Sequence, residues 1–311
     1  MNQPSGPTSP PADAHLPGCA SRFTWISRNG LTLSGTEWCP PASMSKPEFP
    51  PVLCLAGLSR NSRDFNSIAD YLQARGQRVI ALDYRGRGQS DWDADWQNYS
   101  IPVEGQDIDD ALEQLEIDRF SILGTSRGGL HAMAMAARFG SERISGIVLN
   151  DIGPHIEIDS IGRLAATIGK TMHFADKGAC AEHLKAGLGR QFPALKGEDW
   201  VRFAGQLGSA SQDSASPKGF TLDYDPELGK TLAVMDEGAE LPDLWPLFET
   251  MLPIPLLILR GEHSDLLSKE TCKKMLALHP RADLMTVPGE GHAPLLWDLP
   301  VQEKVGLFLK P

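Results

Sequence analysis

Short runs of nearly continuous apolar residues recur along this chain at residues 52–58, 78–84, 120–125, 144–150, 256–260 and 284–287. A strand with one wet face alternates apolar and polar side chains, whereas a run such as Leu256-Leu257-Ile258-Leu259 suits a strand covered on both faces. Between the runs lie segments of helical periodicity at 62–75, 103–115, 128–139, 269–278 and 301–309. Strand and helix in alternation predict the α/β class: one open, mostly parallel twisted sheet flanked by helices. Ahead of the alternation, Phe23-Thr24-Trp25-Ile26 and the run 31–38 flank Asn29-Gly30. Asn-Gly accepts positive φ at little cost, so this stretch predicts an antiparallel hairpin.

The alternation stops between Ile152 and Pro253. Helical patterns follow one another there at 159–169, 176–190, 198–206 and 243–251, interrupted by the Gly, Ser and Pro of 208–217. The expected organisation is a core of residues 21–151 and 254–311, with 152–253 inserted as a helical cap over the carboxyl edge of the sheet. An independent helical domain is the weaker alternative, because the sheet needs the strands on both sides. Residues 1–20, rich in Pro, Ser and Ala, read as a disordered extension. No internal repeat is visible.

Charge narrows the partners. The 311 residues carry 29 basic and 40 acidic side chains, a formal charge of -11. An acidic surface repels nucleic acid and anionic membranes, which leaves a small-molecule substrate as the expected partner. Self-association into a homo-oligomer is compatible with everything in the sequence. No apolar run approaches the roughly 20 residues of a membrane span. No apolar stretch precedes Arg22, so no secretory signal is expected and the cytoplasm is the default compartment. Cys19, Cys39, Cys54, Cys180 and Cys272 are odd in number and lack C-x-x-C spacing, which suggests neither a disulfide framework nor zinc. His155, His173 and His183 do not have metal-ligand spacing either.

Chemistry enters at Gly124-Thr125-Ser126-Arg127-Gly128. The motif follows the apolar run 120–123 and opens a helical pattern, the strand–turn–helix context of a nucleophile elbow. A serine on such a turn projects at the carboxyl end of its strand, and the next backbone N–H, that of Arg127, faces a developing oxyanion. Serine needs a histidine base, oriented by a carboxylate, to act as a nucleophile at neutral pH. His292, in Gly289-Glu290-Gly291-His292, follows the run 284–287 and is the candidate base. Asp265 follows the run 256–260 and is the expected acid, with Asp151 after the run 144–150 and Glu262 as alternatives. His263 lies on the wrong loop for a base. The second oxyanion donor is expected from Leu58 N–H, with Gly57 allowing close approach of the backbone.

These ordered motifs, together with Asp83-Tyr84-Arg85-Gly86-Arg87-Gly88-Gln89-Ser90, resemble the α/β-hydrolase superfamily from about residue 23 to residue 309. The chain departs from the common pattern in three places. Ala56-Gly57 replaces His-Gly in the oxyanion loop, Asp265 lies one residue further from its glycine, and Arg127 stands where relatives carry Met, Leu, Gln or Tyr. The loop 83–90 reads as structural. Arg60 and Arg127 have two readings, a carboxylate site for substrate or an ion pair with carboxylates such as Asp64 or Asp83, and the ion pair is favoured. In the cap, Met172, Phe174, Trp200, Phe203, Trp245 and Phe248 are candidates for an apolar pocket.

The resemblance implies a serine hydrolase of a small carboxylic ester or lactone that needs no metal and no organic cofactor. The close rival is a C–C bond hydrolase of an anionic ring-cleavage product, in which Arg127, Arg163, Arg190 or Arg202 would bind the anion. A rival of another class is a ligand-binding receptor that keeps the fold without turnover. Dehalogenase and epoxide hydrolase chemistry is disfavoured, because those relatives carry Asp at the position of Ser126.

Overall fold

The computed structural model describes residues 20–41, 49–170, 172–211, 219–236 and 242–310. The extension read in residues 1–20 therefore lies, but for Ala20, outside the described residues. Strands β1 (Ala20–Ile26) and β2 (Thr32–Trp38) form the expected antiparallel hairpin, with Gly30 at φ 87° in its turn. The remaining core strands are β3 (Val52–Leu55), β4 (Val79–Asp83), β5 (Phe120–Thr125), β6 (Ile144–Asn150), β7 (Leu256–Gly261) and β8 (Ala282–Val287). They make one eight-stranded sheet in the order β1-β2-β4-β3-β5-β6-β7-β8, antiparallel only at β1-β2 and β2-β4. This is the mostly parallel sheet that the apolar runs predict.

Successive strand residues serve opposite faces, as the two-residue period requires. Leu53, Leu55, Ile80, Leu82, Ile122, Ile147 and Ile258 enter one buried cluster, and their neighbours Val52, Cys54, Val79, Ala81, Leu123, Val148 and Leu257 enter the other. Helices α1 (Asn66–Gln73) and α2 (Leu299–Leu309) cover the second face through Ile68, Leu72, Val301 and Val305. Helices α3 (Ile101–Gln114), α4 (Arg127–Arg143) and α5 (Lys269–Leu278) cover the first. Continuous hydrophobicity in these strands thus follows from burial on both sides.

Between β6 and β7 the chain forms α6 (Ile158–Thr167), α7 (Lys177–Leu188), α8 (Gly197–Leu207), α9 (Leu228–Asp236) and α10 (Trp245–Glu249). Asp176 caps α7 by accepting from Ala179 N–H at 2.8 Å, so its boundary was readable in the sequence. A small antiparallel sheet of His173–Phe174, Gly208–Ala210 and Phe220–Leu222 was not. Helix α10 belongs to the core: Phe248 is a member of the sheet's buried cluster, with its ring 5.9 Å from that of His279. The segment inserted between β6 and β7 is joined to the loop after β4, with Gly88 N–H donating to Asp223 O and Asp225 N–H to Gly86 O, both at 2.8 Å. Tyr99 Oη also donates to the Asp225 carboxylate. The loop 83–90 therefore anchors the inserted segment.

Strand order places the site. From β3 the chain goes to β4 on one side, then crosses to β5 on the other, so the connections diverge at the carboxyl ends of β3 and β5. A crevice opens at such a switch point. The residues that flank it are Gly57-Leu58 after β3 and Ser126 after β5.

Candidate active site

Ser126 has φ 51° and ψ −114°, a strained geometry for a residue with a side chain. Its neighbours make that turn possible. A Cβ on Gly128 would overlap the Leu55 carbonyl and one on Gly124 would meet the Gly128 carbonyl, so both glycines are required for helix α4 to start this close to β3 and β5. Ser126 N–H donates to Asn150 O at 3.1 Å, and Gly129 N–H donates to Ser126 O at 2.8 Å.

The serine hydroxyl lies 2.9 Å from His292 Nε2, and His292 Nδ1 lies 2.8 Å from Asp151 Oδ2. Asp151 is fully buried at φ 56°, just past β6. Its carboxylate also accepts from Gly261 N–H at 2.8 Å and from Ser264 Oγ at 2.6 Å. Three donors on an anionic acceptor fix its orientation. With Asp151 accepting at Nδ1–H, the imidazole presents Nε2 to the serine as an acceptor.

Asp265 does not occupy this place. Its two carboxylate oxygens are bound by Arg163 Nε and Nη2 from helix α6 at 2.6 and 2.8 Å, and by Gln191 Nε2 at 2.9 Å. The expected Asp265–His292 pair is not formed: Arg163 and Gln191 hold the Asp265 carboxylate, while the tight turn after β6 places Asp151 against His292 Nδ1. Glu262 accepts from Gly289 N–H at 2.8 Å and leaves the imidazole alone as well. His263 is half exposed beside Glu262, away from the serine.

The loop carrying His292 is held from several sides. Gln191 Oε1 accepts from His292 N–H at 3.1 Å, Asn150 Nδ2 donates to Pro294 O at 2.9 Å, and Glu290 accepts from Leu295 N–H at 2.7 Å. Glu290 is buried, and burial raises its carboxyl to about 7 against the lowering effect of the Leu295 hydrogen bond.

Leu58 follows Gly57, whose Cα carries no side chain facing Ser126; an added Cβ would stand 3.8 Å from Ser126 Cβ. The Leu58 carbonyl is fixed by Arg87 Nε at 2.8 Å. The Arg127 side chain turns away from the cavity to Glu104, with Nε to Oε2 at 2.7 Å, and its Nη2 donates to Tyr99 O at 3.0 Å. Glu104 was not a candidate from the sequence. Burial acts to raise its carboxyl, and the Arg127 and Arg87 charges outweigh that, leaving it below the ordinary carboxylate range. His131, 3.0 Å from Glu104, is shifted down by burial against the pull of the same carboxylate.

A cavity of about 230 Å³ opens on Ser126 and His292. Leu164 of α6 and Ile168 just past its end, Leu184 and Leu188 of α7, and Phe203 and Leu207 of α8 line it. Of the six cap candidates from the sequence only Phe203 is in this wall. Trp200 and Phe174 pack inside the cap, Met172 packs against Tyr224 and Leu228, and Trp245 and Phe248 belong to the core. Arg60 and Arg163 reach the wall, Arg60 held by Asp64 at 2.6 and 2.7 Å. Arg202 instead lies over the Trp297 ring, 4.0 Å from its centre. Among the described residues no cluster of three or more His, Cys, Asp or Glu is arranged to hold a metal ion, and no helix is long and apolar enough to cross a membrane.

A family model described as the alpha/beta hydrolase fold matches residues 50–299. Over 282 residues the chain is 32% identical to the 3-hydroxybutyrate-oligomer hydrolase of Cupriavidus necator, covering 88% of this chain and 91% of that protein. It is 26% identical over 244 residues to the 2-(acetamidomethylene)succinate hydrolase of Mesorhizobium japonicum, covering 78% of this chain and 81% of that protein. Among solved structures, an alpha/beta hydrolase from Novosphingobium aromaticivorans superposes with a TM-score of 0.85 at 34% identity, covering 94% of this chain and 98% of that one.

Proposed function

Because this chain belongs to the α/β-hydrolase family and is a hydrolase, we propose that it is a serine hydrolase of small carboxylic esters, lactones included, acting through an acyl-enzyme at Ser126. The observation that carries this reading is the unbroken hydrogen-bonded series from Ser126 Oγ through His292 to Asp151.

In this reading Ser126 Oγ attacks the carbonyl carbon as His292 Nε2 takes its proton. The carbonyl electron pair moves onto oxygen, which the N–H groups of Leu58 and Arg127 receive, and Asp151 stabilises the imidazolium. When the tetrahedral adduct collapses, the ester C–O bond breaks and His292 returns the proton to the departing alkoxide. Water, deprotonated by the same nitrogen, then attacks the acyl carbon; the bond from that carbon to Ser126 Oγ breaks, His292 returns the proton to the serine, and the acid leaves. Asp265 has no part in these transfers and serves to hold the cap.

The wall of Leu164, Ile168, Leu184 and Leu188 suits a short aliphatic acyl portion. Likeness to the 3-hydroxybutyrate-oligomer hydrolase over nearly its whole length favours short oligoesters of a hydroxy acid. The two guanidiniums at the cavity are each held at two points by a carboxylate, Arg60 by Asp64 and Arg163 by Asp265, which weighs against an anionic ring-cleavage product.

The test is intact mass after treatment with a small fluorophosphonate, on wild type and Ser126→Ala, followed by turnover of p-nitrophenyl butyrate and a 3-hydroxybutyrate dimer. One adduct on wild type, none on the variant, and hydrolysis of both esters is expected. A folded wild type that gives neither adduct nor turnover overturns the reading in favour of a binding protein.

A further inference from the structure

Glu104 lies on helix α3, has no solvent exposure, and touches neither the serine nor the cavity wall. Its two oxygens nevertheless reach both arms of the crevice. Oε2 binds Arg127 Nε at 2.7 Å, and Arg127 is the first residue of the helix that starts at the elbow. Oε1 binds Arg87 Nη1 at 2.7 Å, and Arg87 Nε holds the Leu58 carbonyl at 2.8 Å. A third route leaves Oε2 through His131, which lies against the Tyr84 ring at a centroid distance of 5.0 Å. Tyr84 Oη in turn donates to Ala56 O at 3.3 Å. One carboxylate thus ties residues 56 and 58 after β3 to residue 127 after β5.

We propose that Glu104 is a positioning residue that sets the distance between the Leu58 and Arg127 backbone N–H groups and so tunes the oxyanion site. This rests on the serine hydrolase reading above. The argument is mechanical. Donors stabilise a developing oxyanion only if they are placed before the charge forms, and these two stand on loops from different strands. The β3–β5 ladder ends at Leu55 and Gly124, and the packing of Gly128 on the Leu55 carbonyl seats residue 127 but leaves Leu58, three residues past the ladder, to be held by side chains. A buried, charge-assisted pair of bonds to two guanidiniums is stiff enough to do so, and the planar forks transmit direction as well as distance. An alternative role, in which Glu104 merely dampens the field of its arginines, makes the opposite prediction. Removing its charge would leave Arg87 and Arg127 unbalanced and would strengthen attraction for an oxyanion.

The experiment uses the full chain as wild type, Glu104→Gln and Arg127→Met. Arg127→Met keeps the backbone N–H of residue 127 and leaves Glu104 paired with Arg87, so it reports even if the glutamine variant does not fold. For each, kcat and KM on p-nitrophenyl butyrate are measured together with inhibition by a trifluoromethyl ketone, which forms a tetrahedral adduct, and by a non-reactive amide analogue. Complete loss of an oxyanion donor costs about 10²–10³-fold, so a loosened one is expected to lower kcat by about 10- to 100-fold. KM and binding of the amide should stay within about twofold, while trifluoromethyl ketone affinity falls in step with kcat. Unchanged kcat in the folded variants, a rise in kcat for Glu104→Gln, or equal weakening of ketone and amide would overturn the proposal. Lack of both Ser126 adduct and turnover in wild type would instead remove the hydrolase reading, and the proposal with it.

Discussion

Asp151 Oδ2 and His292 Nδ1 stand 2.8 Å apart across 141 residues of sequence, joining the end of β6 to the loop after β8. The carboxylate that faces the ring therefore comes from the strand beside the elbow strand. Asp265, at the end of the next strand over, is taken by the cap.

The two aspartates should separate cleanly in kinetics. Asp151→Asn is expected to lower kcat by about 10³–10⁴-fold, because an amide that turns its NH2 toward Nδ1 favours the wrong tautomer and carries no charge to stabilise the imidazolium. Asp265→Asn should retain kcat within about tenfold, since it contacts neither reacting group. Steady-state ester hydrolysis with circular dichroism as a folding check decides it; the reverse ranking would return the acid role to Asp265.

The Arg163–Asp265 pair joins the cap to the core through side chains that are 27% and 37% exposed. Solvent screens such a pair, so Arg163→Met and Asp265→Asn should each change unfolding free energy by less than about 1 kcal/mol, with a coupling of similar size in the double variant. Urea melts of the four proteins measure this. A coupling several times larger would mean that the cap is fastened here far more firmly than its exposure implies.

Glu290 links stability to pH. In the folded chain its carboxyl is raised from 4.5 to about 7, so between those values the folded state binds a proton that the unfolded state has released. Stability contributed by this group is therefore full below about pH 4.5, falls as pH rises to about 7, and is level above it, a change of up to about 3 kcal/mol. Glu290→Gln keeps an acceptor for Leu295 N–H and should remove that slope. Melting temperatures of both proteins from pH 5 to 8 check it; parallel curves would show that Glu290 is not the source.

Two glycines give opposite predictions for the same substitution. Gly128→Ala would force a methyl group into the Leu55 carbonyl, and soluble folded protein should be lost or strongly destabilised. Gly162, inside the first cap helix with nothing within 4 Å of an added Cβ, should gain about 0.5–1 kcal/mol as alanine. Thermal melts of the two variants provide the comparison.

Much of this molecule is legible in its sequence. Continuous apolar runs announce strands buried on both faces, and the local strand–turn–helix signature marks Ser126 because its geometry depends on residues within a few positions. His292 follows from chain order. The carboxylate that faces its Nδ1 does not, because Asp151 and Asp265 occupy equivalent places on adjacent strands, and only the Arg163 contact of Asp265 and the positive φ of Asp151 separate them. Glu104 was invisible for a different reason. In Glu104-Gly105-Gln106-Asp107 it looks like part of a solvated helix face, and its burial is compensated by arginines distant in sequence, Arg87 on a loop and Arg127 at the start of α4. The short cap strands are two or three residues long, below the length at which a two-residue period can be read.

Ser126 and Asp151 belong to one strand–helix–strand unit, separated by 25 residues, whereas the imidazole between them arrives from 166 residues beyond the serine. Synthesis therefore produces nucleophile and acid together, in neighbouring strands, well before the base exists. While the cap and the last strands emerge from the ribosome, the serine has no partner able to take its proton. In this assignment a nascent chain is chemically silent, and hydrolysis begins only when the loop after β8 brings His292 to the serine.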